Sequence, residues 1–553
     1  MALAQDLLDR FEELERHRRP FEQHWRDVDD AVGAITSRDI NSVSPTSNPF
    51  GDAISQRRRS KARNRYDTTM QQSVERLTSG ILSLVFPSGQ KWHTLSTATV
   101  QAMEDEEEKR WAERVRDVLF FNRYAAYAGF ESAIQRTIGS CVRYGPGYLY
   151  VQPSFSPKAS ARYMNIPVNE GYIGRDEFGQ VDTFARRFTR KARQVGDWDV
   201  SQRVTAARDD PKTSGDEFEF IQIIMPRDEP GFRAMQSRKN APWVSYIVEV
   251  GQKRVVSDDG FETFPVATFF WDEFGMYGTS PCIDYLLEHK MLSAMEKDVL
   301  IALNQIVRPP MGVHDTSLMN RVNLNPGAVN PGAVSADGRP LMIPLLQGAN
   351  PERAAPFIEK RQGQLRDGFY TRLFQTLEGD RGGQTATEVL VRNTEKGQML
   401  GPVGARLHSG ADVMVARELE ALEMRGLYAE NSPLLPPESL ADKEIKPQYT
   451  NNMQRLAIAG EAEGVLRMME IDNGRVQQGR TPLLRDAEAG QFLAEAFNAP
   501  LKLIKTTDEI AAEDEQRQQS QQQAQAVEAT QKAAGAMKDM VPVAEAAGLV
   551  PAE

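Results

Sequence analysis

Apolar residues recur at helical spacing through residues 281–308. Ile283, Leu286, Leu287, Met291, Leu292, Met295, Val299, Leu303 and Ile306 form one stripe, the pattern of an amphipathic helix. Ser280 is a good N-cap and Pro281 suits the first helical position, where no N–H is needed. Arg308-Pro309-Pro310 stops the helix, so a single rod of about 40 Å is expected at about 1.5 Å per residue. A Pro- and Gly-rich insert follows at 311–356. A second periodic segment at 357–377 carries Ile358, Leu365, Phe369, Leu373 and Leu377. The polar loop Gly379-Asp380-Arg381-Gly382-Gly383-Gln384 then leads into Thr385-Ala386-Thr387-Glu388, a capping box that opens a third helix. Gly397, Gly401, Pro402 and Gly404 predict a kink or break along it. Two helices of similar length around a self-contained insert make a hairpin, which by pattern alone is compatible with an ordinary globular αα-hairpin.

The rest of the chain is mixed. Leu3, Leu7, Phe11, Leu14, Phe21, Trp25, Val28 and Val32 predict an amphipathic helix over 3–33, with Pro20 as its expected break. Helices are expected at 67–86, 104–128 and 134–144. Strand-like runs follow at 148–152, 160–168, 181–188, 217–226, 243–256 and 264–270, with turns at 176–180 and 258–260. A Pro-rich linker is expected at 433–447, then helices at 451–470 and 486–497. The run after 513 is Gln-rich with almost no apolar stripe, and reads as a solvated helix or a tail. The fold class is therefore α+β, mainly helical.

Composition narrows the function. At 553 residues the chain has room for several domains. A formal net charge of −11 argues against coating nucleic acid by electrostatics alone. Cys141 and Cys282 are far apart, with neither a disulfide framework nor metal spacing, which suits a reducing compartment. No apolar run is long enough for a transmembrane helix, so no membrane partner is expected. The basic run Arg57, Arg58, Arg59, Lys61, Arg63 and Arg65 reads either as a contact with an acidic partner or nucleic acid or as a solvated loop-to-helix junction.

Catalytic signals are weak. The chain has no Walker-type phosphate loop and no nucleophile elbow. Its six histidines show no metal-ligand spacing. The 379–384 loop resembles an anion-binding turn but lacks a lysine. No acid–base pair stands out, so no cofactor and no enzymatic activity are expected, and a structural or conduit role is favoured.

Several motifs, taken together and in order, resemble the head-to-tail connector, or portal, proteins of short-tailed bacteriophages. They are Leu14-Glu15-Arg16-His17-Arg18-Arg19-Pro20 with Trp25, Phe86-Pro87-Ser88-Gly89-Gln90-Lys91-Trp92, and Gly145-Pro146-Gly147-Tyr148-Leu149. Tyr172-Ile173-Gly174-Arg175-Asp176, Tyr277-Gly278-Thr279-Ser280-Pro281, Asn325-Pro326-Gly327-Ala328 and Thr385-Ala386-Thr387-Glu388-Val389 continue the set.

The resemblance implies a portal fold and a ring of about twelve copies around a DNA tunnel, closed by head-to-tail contacts. Residues 1–280 would be the wing, 281–308 and 357–378 the stem, and 309–356 the clip. The tunnel loop would be 379–384, with a long kinked wing helix at 385–432, the crown at 433–512 and a Gln-rich tail at 513–553. Stem packing would fall to Met291, Met295, Val299, Leu303, Leu365, Phe369 and Leu373. Arg321, Asn325 and Arg339 would face the motor or tail, and Gly379, Asp380, Arg381, Gly382, Gly383 and Gln384 the DNA. The implied partners are further copies of the chain, double-stranded DNA, the terminase large subunit, tail adaptors, and the capsid and scaffolding or internal core proteins. The implied place is the portal vertex of a virion made in the host cytoplasm. At −11 per chain, such a ring would carry roughly −132 and let DNA slide with low affinity. A tail or scaffolding protein, or a subunit of the packaging enzyme, are the alternatives.

Overall fold

A computed structural model of the chain describes residues 2–32, 66–97, 106–196, 198–227, 241–313, 329–330, 333–335, 337–345, 351–371, 374, 386–428, 432, 434–440 and 445–449, with short pieces between 462 and 520. It divides into two compact units. The larger comprises 1–96, 115–435 and 445–453; the smaller comprises 97–114, 436–444 and 454–553.

In the larger unit, α1 (Ala2–Val32) packs on a five-stranded sheet. Ala4, Leu7, Phe11 and Leu14 meet Tyr172, Ala185, Ile221, Ile223 and Val248. The helix runs through Pro20 without the expected break. The sheet is antiparallel, in the order β4 (Gly171–Arg175), β5 (Val181–Lys191), β6 (Glu217–Pro226), β7 (Trp243–Glu249) and β8 (Arg254–Phe261). Side chains alternate across a strand, so Phe220 of β6 joins a second cluster with Phe188, Val195, Val200, Val204 and Val256. The expected turn at 258–260 is instead part of β8. The run 243–256 is two strands, reversing at 250–253.

A three-stranded antiparallel sheet has the order β3 (Ala161–Ile166), β2 (Pro146–Pro153) and β9 (Val266–Phe270). Helix α4 (Phe130–Tyr144) and the long α9 (Ala386–Met424) both pack on it. Helix α9 is continuous through Pro402, so of the kink or break expected from Gly397 to Gly404 there is no break. Sequence patterning missed β1 (His93–Thr97), β4 and α5 (Gln202–Asp209). It also missed β12 (Ile445–Tyr449), which pairs with β1 inside the expected Pro-rich linker. Helices α2 (Thr69–Val85) and α3 (Glu106–Arg123) lie close to their expected spans.

The expected rod at 281–308 is two pieces, α6 (Pro281–Asp284) and α7 (Leu286–Val307), because Tyr285 leaves the helix. Helix α8 (Ala355–Gly368) stops earlier than the expected 377, and Tyr370 just beyond it takes a left-handed φ of 53°. Between α7 and α8, β10 (Met311–Val313) pairs antiparallel with β11 (Met342–Pro344). In the smaller unit, 464–472 are helical and the Asp472 carboxylate accepts the N–H groups of Leu483 and Leu484.

Candidate assembly interface

The base of the α6–α7 arm is fixed by the motif that opens it. The Ser280 hydroxyl donates to the Arg143 carbonyl (2.8 Å) and accepts the Ile283 N–H (3.2 Å), with Pro281 at the first turn. The Tyr277 hydroxyl accepts the Ile173 N–H (3.2 Å), and its ring meets Trp25 edge-on at 5.3 Å. Burial pushes the Tyr277 hydroxyl pKa up to about 12.

Helix α8 lies against α7. Tyr285 faces Phe369 at 5.9 Å, Arg361 pairs with Glu288 at 2.8 Å, and Gln362 bonds Glu296 at 2.9 Å. The Tyr285–Phe369 and Glu296–Gln362 contacts set the two helices antiparallel. Near the base, His289 is buried beside Asp67 (3.5 Å), whose carboxylate also accepts the Thr69 hydroxyl (2.7 Å). Burial raises the Asp67 pKa, but the bonds from His289 and Thr69 more than offset this and hold it below the usual range.

Beyond Leu292 no α7 residue is buried. Leu287, Met291, Leu300, Ile301, Leu303, Ile306 and Val307 are all exposed, from 41% for Met291 to 75% for Val307. Phe357 at the start of α8 is exposed as well. Among the described residues, these side chains have too little to pack on.

The residues expected to pack in the stem fall into two sets. Leu365 and Phe369 are buried within the chain; Met295 and Val299 are half-buried, and Met291 and Leu303 are exposed. Arg339 is exposed, and its carbonyl accepts the Ser335 N–H (2.8 Å) beside the β10–β11 pair. Leu373, Arg321 and Asn325 lie outside the described residues. So do the loop Gly379, Asp380, Arg381, Gly382, Gly383 and Gln384 and the basic run Arg57, Arg58, Arg59, Lys61, Arg63 and Arg65.

Among the described residues, no group of three His, Cys, Asp or Glu side chains is placed to hold a metal, and no helix is long and apolar enough to cross a membrane. Both cysteines are buried, which raises their thiol pKa values above the ordinary range.

The described residues of this antiparallel helix pair leave apolar surface uncovered, the kind of surface that interaction sites present. Residues 4–504 match the family described as bacteriophage head to tail connecting protein, and the chain belongs to that family. It is 24% identical over 552 residues to the portal protein of Salmonella phage epsilon15, covering 97% of this chain and 94% of that one. It is 22% identical over 536 residues to the probable portal protein of Bordetella phage BPP-1, covering 94% and 92%. These matches bear out the resemblance read from the motifs.

Proposed function

We propose that the chain is the subunit of a portal ring at one capsid vertex. The ring is the conduit for double-stranded DNA during packaging and ejection. It docks the terminase motor first and the tail later, and does no catalysis itself. Residues 281–308 and 357–378 form the stem, 309–356 the clip, and 379–384 the loop that reaches DNA. The wing, 1–280 with the helix at 385–432, faces outward, and the crown at 433–512 and tail at 513–553 face the capsid interior. The partners are the capsid and scaffolding or core proteins on the head side, and the terminase large subunit and tail adaptors on the other.

The observation that carries this reading is the set of exposed apolar side chains on α7. Seven large side chains, each worth about 1 kcal/mol when its exposed part is covered, favour a neighbouring copy over water. The family membership supports reading that assembly as a portal ring. The test is electron microscopy of the purified chain with native mass spectrometry. Closed rings with a central hole are expected; a monodisperse monomer at micromolar concentration would overturn the reading.

A further inference from the structure

The sequence Asp-Glu-Phe-Gly occurs twice, as Asp176-Glu177-Phe178-Gly179 in the β4–β5 turn and as Asp272-Glu273-Phe274-Gly275 just after β9. Asp176 Oδ1 accepts the N–H groups of Phe178 (3.0 Å) and Gln180 (2.7 Å), and Asp272 Oδ1 accepts that of Glu273 (2.9 Å). Each glycine is left-handed, with φ of 83° and 72°, a conformation open to Gly at little cost. The fold sets the two loops side by side. Arg175 donates from Nε to the Met276 carbonyl (3.0 Å) and from Nη1 to the Gly179 carbonyl (2.6 Å). Phe178 is 82% exposed and Phe274 80%, each next to an exposed glutamate. Two aromatic side chains on loops tied in this way have the character of interface anchors.

A surface of opposite charge lies on the same unit. Tyr127 and Phe155 are exposed, and Lys158 and Arg162 sit 5.7 and 5.0 Å from the Tyr127 ring. The two surfaces belong to opposite ends of the three-stranded sheet. Pro146 pairs with Phe270 at the end from which the 272–275 loop leaves. Pro153 pairs with Ala161 at the other end, closed by the turn that carries Phe155 and Lys158. The eight residues of β2 span roughly 26 Å at about 3.3 Å each, so the two surfaces do not meet within one copy.

We propose that the twin loops of one copy dock on the Tyr127–Phe155–Lys158–Arg162 patch of the next. Phe178 and Phe274 pack on its aromatic side chains, and Glu177 and Glu273 face its cations. The contact is heterologous and repeats around a ring. It rests on the ring reading above and adds a second seam, apart from α7.

Cysteine cross-linking tests it directly. A chain with Phe178→Cys and Phe155→Cys, treated with a short bis-maleimide, should give a ladder of covalent oligomers, and either single variant should not. Glu177→Lys with Glu273→Lys should weaken association about tenfold or more, as should Lys158→Glu with Arg162→Glu. Combining all four in one chain should restore assembly, because every reversed loop then meets a reversed patch. Normal rings with no ladder and no effect of charge reversal would overturn the contact while leaving the ring, and would assign the loops to a protein of another sequence. A ladder without closed rings would support the contact and overturn the ring. Absence of both would overturn both.

Discussion

Two arginines sit where a helical stripe calls for apolar side chains. Arg18 of α1 is buried and donates to the carbonyls of Asn169 (3.1 Å) and Gly171 (3.0 Å), with its guanidinium over the Tyr172 ring at 4.1 Å. Arg123 is fully buried against Glu418, which also accepts the Tyr163 hydroxyl, and lies over Trp92 at 4.6 Å. Burial acts to lower the Arg123 pKa, but the Glu418 carboxylate more than offsets it and keeps the group charged. Arg123→Leu should leave that carboxylate buried without its cation and cost about 3–5 kcal/mol, read as a lower urea midpoint. An unchanged midpoint would show the pair to be dispensable. His408 stacks on Tyr449 at 4.0 Å, and burial lowers its pKa to about 4. The folded chain keeps it neutral, whereas the unfolded chain takes up a proton below about 6.5. Its contribution to stability is therefore full above pH 6.5 and lost as pH falls from there through 4. His93, shifted the same way by burial and then by Arg123, adds to the trend. The melting temperature should fall across that window, and His408→Gln should flatten the fall.

At the level of elements, close packing and open surface lead to opposite expectations. Helix α9 crosses the three-stranded sheet at Gly410, where an added Cβ would lie 2.5 Å from the Thr268 carbonyl oxygen and 2.7 Å from Phe269. Gly410→Ala should cost about 1–3 kcal/mol in a denaturant titration. Gly401→Ala, with nothing within 4 Å on the same helix, should be neutral or gain up to about 1 kcal/mol. On α7 the sign reverses for the lone chain. Leu303 is 43% exposed and Met295 half-buried, so Leu303→Asp or Met295→Asp should leave the monomer folded. Against a neighbouring copy the same changes bury a carboxylate in apolar contact, which is strongly unfavourable. Circular dichroism should stay near that of the wild type while native mass spectrometry shows loss of rings; intact rings for both variants would contradict the stem reading.

On the scale of the whole molecule, the proposed ring would enclose a tunnel that only many copies can make. The loop at 379–384 is short, polar and Gly-rich, with Arg381 as its cation. In a chain of net charge −11, one arginine per copy would, on the proposed reading, offer DNA phosphates a weak, reversible contact. Arg381→Ala should leave ring yield unchanged and lower the genome content of filled heads. Full genome retention would leave the loop as a structural turn.

The sequence by itself determined the order of elements and the family. Helical and alternating periodicities placed most helices and, apart from β4 and the split between β7 and β8, the strands of both larger sheets, and Ser280-Pro281 located the start of α6 because capping is local chemistry. Patterning failed where a long-range partner decides the conformation. Strands β1 and β12 are too short and polar to show a period, and exist because they pair across more than 300 positions. Pro20 predicted a break and Pro402 a kink or break, yet both helices, packed on the sheets, run through them without interruption. The stripe on α7 showed that the helix has an apolar face, but not what that face meets. Only the tertiary structure showed that Leu286, Leu292 and Leu365 are covered by their own chain and that Leu300, Ile301 and Ile306 are left open. Periodicity gives a side chain's direction on its helix; burial depends on what the rest of the chain brings to that side.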